Sequence, residues 1–166
     1  MEVKRVVVGD LQENCYIVSD GKYSLIIDPG SEADKILEAA KDLNVVEVLV
    51  THHHFDHVGA LKPILNHYNL EENKRSGKFN YEIILVPGHT LDSKCIYFPD
   101  DKIMFTGDFI FYNAIGRTDL GGSDALMKQS LESMMAYPDD LILYPGHGSS
   151  TTLGREKQNF KYYYDN

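Results

Sequence analysis

The stretch Thr51-His52-His53-His54-Phe55-Asp56-His57-Val58-Gly59 decides how this chain is read. It follows directly on Val45-Val46-Glu47-Val48-Leu49-Val50, a β-branched apolar run that predicts a buried strand. Four imidazoles and a carboxylate therefore stand where a strand ends and its loop begins, the place where α/β sheets collect ligands. Side chains alternate along an extended segment, so His52, His54 and Asp56 are expected on one side. His57 follows where the chain bends towards the next helix. A helical register would instead pair His53 with His57, four residues apart, and solvated loop histidines would need no ligand. The strand before them and two more histidine-bearing loops downstream favour metal binding. Neutral imidazole nitrogens with one carboxylate suit a borderline ion such as zinc.

Upstream of this stretch, strands are expected over residues 3–8, 14–19 and 24–28, with Asp20-Gly21-Lys22 as a hairpin turn. Pro29-Gly30-Ser31 breaks the chain. Ser31 is then the expected N-cap of a helix to about residue 43, with Ile36, Leu37, Ala40 and Leu43 on one face. Downstream, Val58, Leu61, Ile64 and Leu65 mark another helix, which accepts Pro63 only in its first turn. His67 falls late in it, as a solvated or dipole-facing side chain. A polar loop over 71–80 precedes strands at 82–86, 94–98 and 102–106, and a glycine-punctuated loop covers 109–122. Ser123 caps a helix through Met135 with Leu126, Met127, Leu131, Met134 and Met135 on its apolar face. A strand at 141–144 and a short closing helix over 154–163, its tyrosines docking the tail, complete the chain. Each half starts with strands, passes a helix and ends on a ligand-bearing loop. That repeat predicts an α/β fold, a four-layer αββα sandwich of two mixed sheets with helices on the outer faces. One domain over residues 1–166 is long enough for a real core.

With 25 acidic against 16 basic residues, the formal charge of −9 disfavours broad binding to nucleic acid or an anionic membrane, and bound cations would offset part of it. Cys15 and Cys95 are far apart and form no Cys-x-x-Cys, so both read as small buried apolar residues. With no disulfide framework, no signal peptide and no apolar run of membrane-spanning length, a cytoplasmic location is expected. A homo-oligomer is compatible with the sequence.

A strand and a turn glycine precede a histidine or aspartate three more times, at His89, Asp108 and His147. Gly88, Gly107 and Gly146 are expected to let the backbone turn tightly there. With the opening stretch, these loops account for five of the seven histidines and leave His53 and His67 over. The order His-x-His-x-Asp-His at 52–57, Pro-Gly-His-Thr at His89, Gly-Asp at Asp108 and Tyr-Pro-Gly-His-Gly at His147 resembles the metallo-β-lactamase-fold hydrolases over essentially the whole chain. Glu13-Asn14-Cys15-Tyr16, Ile115-Gly116-Arg117-Thr118-Asp119-Leu120 and Thr151-Thr152-Leu153-Gly154 look like the glyoxalase II branch, in its short hydroxyacylglutathione hydrolase-like form.

The resemblance implies two divalent ions, zinc first with iron or manganese as alternatives. One would take His52, His54 and His89, the other Asp56, His57 and His147, with Asp108 bridging. His53 would be a non-ligand. It also implies cleavage of a small-molecule acyl thioester by a hydroxide generated at the dinuclear site, with Asp56 and Asp108 as catalytic carboxylates. Tyr112, Asn113 and Arg117, just past Asp108, could contact substrate, and a salt bridge to Asp119 is the competing role for Arg117. Full glyoxalase II enzymes carry a further C-terminal helical region that supplies much of the glutathione site. Relatives also have an additional strand and loop where this chain has only residues 60–86. The sequence matches neither, so acyl thioesters without glutathione are equally admissible. Three other readings remain. One is a persulfide dioxygenase with a single iron on His52, His89 and Asp108. The others are a phosphodiesterase or nuclease, and a non-catalytic metal-binding protein.

Overall fold

The computed structural model describes residues 1–164, which cluster into two compact units, Met1–Asn80 and the chain from Tyr81 onwards. The first unit holds a sheet of β1 (Glu2–Val8), β2 (Glu13–Ser19), β3 (Ser24–Ile27) and β4 (Val45–Leu49), in that order. β1, β2 and β3 are antiparallel neighbours, and β4 runs parallel to β3. The β2–β3 hairpin turns where Asp-Gly is expected to turn it. Asp20 Oδ1 accepts from the backbone N–H of Lys22 and Tyr23, and Gly21 has φ +95°. Helix α1 (Ala33–Ala39) makes the crossover from β3 to β4, and α2 (Phe55–Val58) and α3 (Leu61–Tyr68) follow. Pro63 lies in the first turn of α3, where its missing N–H matters least. Ile36 of α1 and Ile64 of α3 pack with Ile17, Ile26 and Val48 of the sheet, all fully buried. Each such side chain stabilises the unit by about 1.5–3 kcal/mol.

Helix α1 is shorter than its periodicity predicts. The residue before it in cap position is Glu32, in the left-handed region at φ 52°, not Ser31, and no side chain caps it. The helix gives out at Ala40 and continues as turns, and the Asn44 carbonyl then accepts from Ser24 N at the start of β3. Leu43 is consequently exposed.

The second unit has a sheet in the order β11-β10-β7-β6-β5. Its strands are β5 (Glu82–Leu85), β6 (Lys94–Phe98), β7 (Ile103–Gly107), β10 (Ile142–Pro145) and β11 (Thr151–Thr152). β10 is parallel to β7, and the other neighbours are antiparallel. A small hairpin, β8 (Ile110–Phe111) and β9 (Ala114–Ile115), occupies the segment expected to be a loop. Helix α4 (Asp124–Met134) is capped as expected, with Ser123 accepting from Leu126 N. Met127, Leu131 and Met134 are buried, while Met135 is exposed. The closing helix is two short ones, α5 (Leu153–Lys157) and α6 (Phe160–Tyr164). Phe160 anchors them in the core, with Tyr163 and Tyr164 packed beside it, whereas Tyr162 is exposed.

The expected repeat holds within each unit. In each, a strand, a helical crossover and a parallel strand lead into a histidine-bearing loop: β3–α1–β4 and β7–α4–β10. Among the described residues the outer edge of β4 has no strand beside it, only an isolated bridge from Val48 to Glu72, and the shortened segment closes it with a loop. Asn73 N donates to Val48 O and Asn73 Oδ1 accepts from Val50 N, both at 2.9 Å. Ser76 gives its N–H and its hydroxyl to the buried Glu47 carboxylate. These bonds occupy polar groups that a neighbouring strand would otherwise take. Among the described residues no helix is long and apolar enough to cross a membrane.

Candidate metal centre

In the first unit the extended chain lasts only to His54, at φ −62° and ψ 143°, and α2 begins at Phe55. The simple alternation expected for His52, His54 and Asp56 is therefore wrong for Asp56, which belongs to the first turn of α2 together with His57. The outcome is still a cluster. The His52 ring lies 5.0 Å from that of His54 and 4.2 Å from that of His57, centroid to centroid. Asp56 Oδ2 is 3.6 Å from His57 Nε2. His53 alternates out of the group, and its Nε2 meets Glu72 Oε2 at 2.9 Å on the surface.

Behind these side chains stands Asp28, 2% exposed, which the sequence shows only as the end of a strand. Its carboxylate accepts from Thr51 N at 2.7 Å, from the Thr51 hydroxyl at 2.6 Å and from His57 Nδ1 at 2.8 Å. Because the Thr51 hydroxyl gives its proton to Asp28, it accepts from His52 Nδ1, 3.1 Å away. Both imidazoles thus carry hydrogen on Nδ1 and a lone pair on Nε2, the tautomer that a ligating histidine needs. The available signal for Asp28 was its position: a strand-ending aspartate before Pro29-Gly30, like Asp108 at the end of β7.

The second unit brings together His89, Asp108 and His147. Asp108 Oδ2 lies 3.5 Å from Nε2 of both histidines. His89 Nδ1 donates to the backbone carbonyl of Arg117 at 2.6 Å, which again places its lone pair on Nε2. A Cβ on Gly116 would stand 1.8 Å from the Asp108 carbonyl oxygen, so only glycine lets this backbone pass. Of the three turn glycines expected before the ligands, Gly107 alone is left-handed, at φ +54°. Gly88 serves packing instead, since a Cβ there would meet the Met127 backbone at 2.6 Å.

The substrate candidates are engaged within this unit. Arg117 holds Asp119 through two 2.6 Å hydrogen bonds, which draw the Asp119 carboxyl down to about 2, so the salt bridge is its side-chain role here. Arg155 bonds the Tyr112 hydroxyl at 3.0 Å and Asn113 Oδ1 at 3.1 Å and stacks over the Tyr112 ring.

The spacings test whether these groups fit a metal. Two donors 2.0–2.2 Å from one ion at the tetrahedral angle lie roughly 3.3–3.6 Å apart. The 3.5 and 3.6 Å nitrogen-to-oxygen distances match that edge and exceed the ~3.2 Å limit of a good hydrogen bond. Asp108 Oδ2 keeps it to two histidines at once. The donors fit a metal centre.

Donor sets of this kind on the loops of two mixed sheets define a metal-binding α/β protein. The profile of the metallo-beta-lactamase superfamily matches residues 8–82 and 74–147. Hydroxyacylglutathione hydrolase GloC of Haemophilus influenzae is 31% identical over 204 aligned positions, covering 96% of each chain. Among solved structures, TTHA1623 in a di-iron-bound form superposes with TM-score 0.85 at 30% identity, over 93% of this chain and 96% of its own. BLEG-1 B3 metallo-beta-lactamase superposes with TM-score 0.90 at 26% identity, over 98% and 99%. The chain belongs to the metallo-β-lactamase superfamily, in its glyoxalase II-like branch, and has the metallo-β-lactamase fold. The 204 aligned positions outnumber this chain's residues, and the two profile matches overlap at residues 74–82, inside the shortened segment.

Proposed function

We propose that the protein is a metal-dependent hydrolase of acyl thioesters, like the glyoxalase II relatives but not tied to glutathione. In this reading both donor sets serve one dinuclear site. His52, His54 and His89 would hold one divalent ion and Asp56, His57 and His147 the other, with Asp108 shared between them. The observation that carries it is Asp108 Oδ2 at the metal-donor spacing of 3.5 Å from both His89 and His147, a spacing that a carboxylate shared by two ions would keep. Zinc suits the nitrogen-rich donors first, and iron and manganese accept the same set.

Bound ions would supply a water acidified to a pKa of roughly 7 and an electrophile for the thioester carbonyl oxygen. The chain's own part is orientation and charge. Asp28 and Thr51 keep His57 and His52 in the ligating tautomer, and the Arg117 carbonyl does the same for His89. Asp56 and Asp108 would offset cationic charge, and Asp56 would also orient the hydroxide by accepting a hydrogen bond from it. The leaving thiolate, with a pKa of about 8.5, needs no strong general acid. Two buried free thiols fit a reducing compartment, the cytoplasm in this reading.

The test is metal analysis combined with turnover of acyl thioesters, lactones and phosphodiesters by metal-replete protein. Two ions per chain with thioester cleavage is the expected result. One iron per chain with oxygen uptake on a persulfide would replace this reading with a dioxygenase.

A further inference from the structure

A cavity of about 680 Å³ lies wholly in the first unit and reaches Asp56. Its walls include Val8, Leu11, Phe55 and Gly59, with Asp10 and Glu32 on the rim. Leu11 is 54% exposed and Phe55 76% exposed, beside a carboxylate that the proposed chemistry uses. Neither is slack surface. Leu11 sits in the tight β1–β2 turn, closed by Gln12 N donating to Gly9 O at 3.1 Å. Gly9 is left-handed at φ +74°, and its N–H is held by Glu32 Oε2 at 2.8 Å. Phe55 is the first residue of α2, one position before Asp56. Glycine packing shapes the floor, where a Cβ on Gly30 would meet the Asp56 carbonyl at 1.9 Å.

The charge of this cavity selects its occupant. Asp10 and Glu32 contribute two rim carboxylates beside Asp56, whose charge the proposed ion would offset, and no lysine or arginine lines it among the described residues. A carboxylate-bearing arm, such as the peptide part of a glutathione thioester, would meet repulsion from Asp10 and Glu32 with no cationic side chain to offset it. An uncharged hydrocarbon arm would cover Leu11 and Phe55 and leave the rim carboxylates in water. We infer that this cavity receives the acyl arm of the substrate as a neutral hydrocarbon chain, with Leu11 and Phe55 as specificity-determining residues. The inference rests on the thioester reading above and adds the class of acyl group to it.

The experiment uses acetyl, butanoyl, hexanoyl and succinyl thioesters of one neutral thiol, N-acetylcysteamine, with metal-replete protein. Burial of a methylene corresponds to a rise of about three- to fourfold, so kcat/KM should climb at least about tenfold from acetyl to hexanoyl. Succinyl should fall below butanoyl. Leu11→Ser and Phe55→Ser should flatten the chain-length slope, whereas Leu43→Ser, at an exposed leucine outside the cavity, should keep it. A flat slope in the wild type, or succinyl preferred to butanoyl, overturns the inference and leaves thioester hydrolysis standing. Should no thioester be cleaved, affinities are measured for the ketone analogues in which methylene replaces sulfur. Tighter binding of the hexanoyl analogue, lost in Leu11→Ser, then supports the cavity assignment while the hydrolase reading falls. Equal affinities of the acetyl and hexanoyl analogues overturn the assignment too.

Discussion

Replacing Asp28 by asparagine tests the logic of the metal centre without touching a proposed ligand. In the wild type one carboxylate accepts three hydrogen bonds, two of them on Oδ2, from the Thr51 hydroxyl and His57 Nδ1. An asparagine can keep its oxygen towards Thr51 N, but its NH₂ then faces two former donors. His57 relieves that conflict by moving its proton to Nε2, which removes the lone pair meant for the ion. Loss of such an outer partner weakens metal affinity by about 10–100-fold, or roughly 1.4–2.7 kcal/mol. Loss of charge-assisted bonds at a buried site should also lower the stability of the metal-free fold by about 2–3 kcal/mol.

Three measurements separate these effects. Competition with a chromophoric chelator gives the affinities of the two ions one after the other. Nitrogen-15 spectra of the metal-free protein report the His57 tautomer directly, and denaturant unfolding gives the stability change. The ion assigned to Asp56, His57 and His147 should weaken more than its neighbour, because Asp28 touches His52 only through Thr51. Thr51→Val should show the reverse bias, with a smaller loss. Wild-type affinity for both ions in Asp28→Asn, with His57 still protonated on Nδ1, would refute the tautomer argument and the ligand role of His57 Nε2 with it.

Asp108→Ala should lose metal and activity together in paired metal analysis and turnover. His53→Ala should keep most of both, since its pair with Glu72 is exposed and worth less than about 1 kcal/mol. Gly116→Ala drives a Cβ into the Asp108 carbonyl, and a chelator titration should show metal binding weakened at least about tenfold even where the protein still folds. Burial raises the thiol pKa of Cys95, and burial together with the Glu13 and Asp28 carboxylates raises that of Cys15. A raised pKa means too little thiolate at pH 8 for reaction, so a disulfide reagent should modify neither cysteine until denaturant is added.

The strands were legible wherever burial writes a run of β-branched and aromatic residues, as at β4 and β6. They were illegible where pairing comes from tertiary contact. β8 and β9 have two residues each, too few to show a period, and the only local sign of their turn is Asn113 held left-handed at φ 59°. The start of α1 was misread for a related reason. Ser31 has the better capping chemistry, yet Glu32 is bound to Gly9 N from across the β1–β2 turn, a partner that local sequence does not reveal.

The candidate metal ligands stood out in the sequence because histidine and carboxylate are metal donors and these gather in the loops after strands. The groups that aim them are invisible by the same logic, since any oxygen will serve. His89 is oriented by a backbone carbonyl, so the residue at 117 leaves no mark in its side chain. Gly116 is dictated by the Asp108 backbone, eight positions earlier in the chain. Asp28 lies between these cases, because its left-handed φ of 53° and its three bonds require a short side chain with two acceptors. Asparagine satisfies the backbone and only part of the hydrogen bonding. The identity of Asp28 is therefore set by the protons on Thr51 and His57, and a sequence exposes that only once the positions of those protons are known.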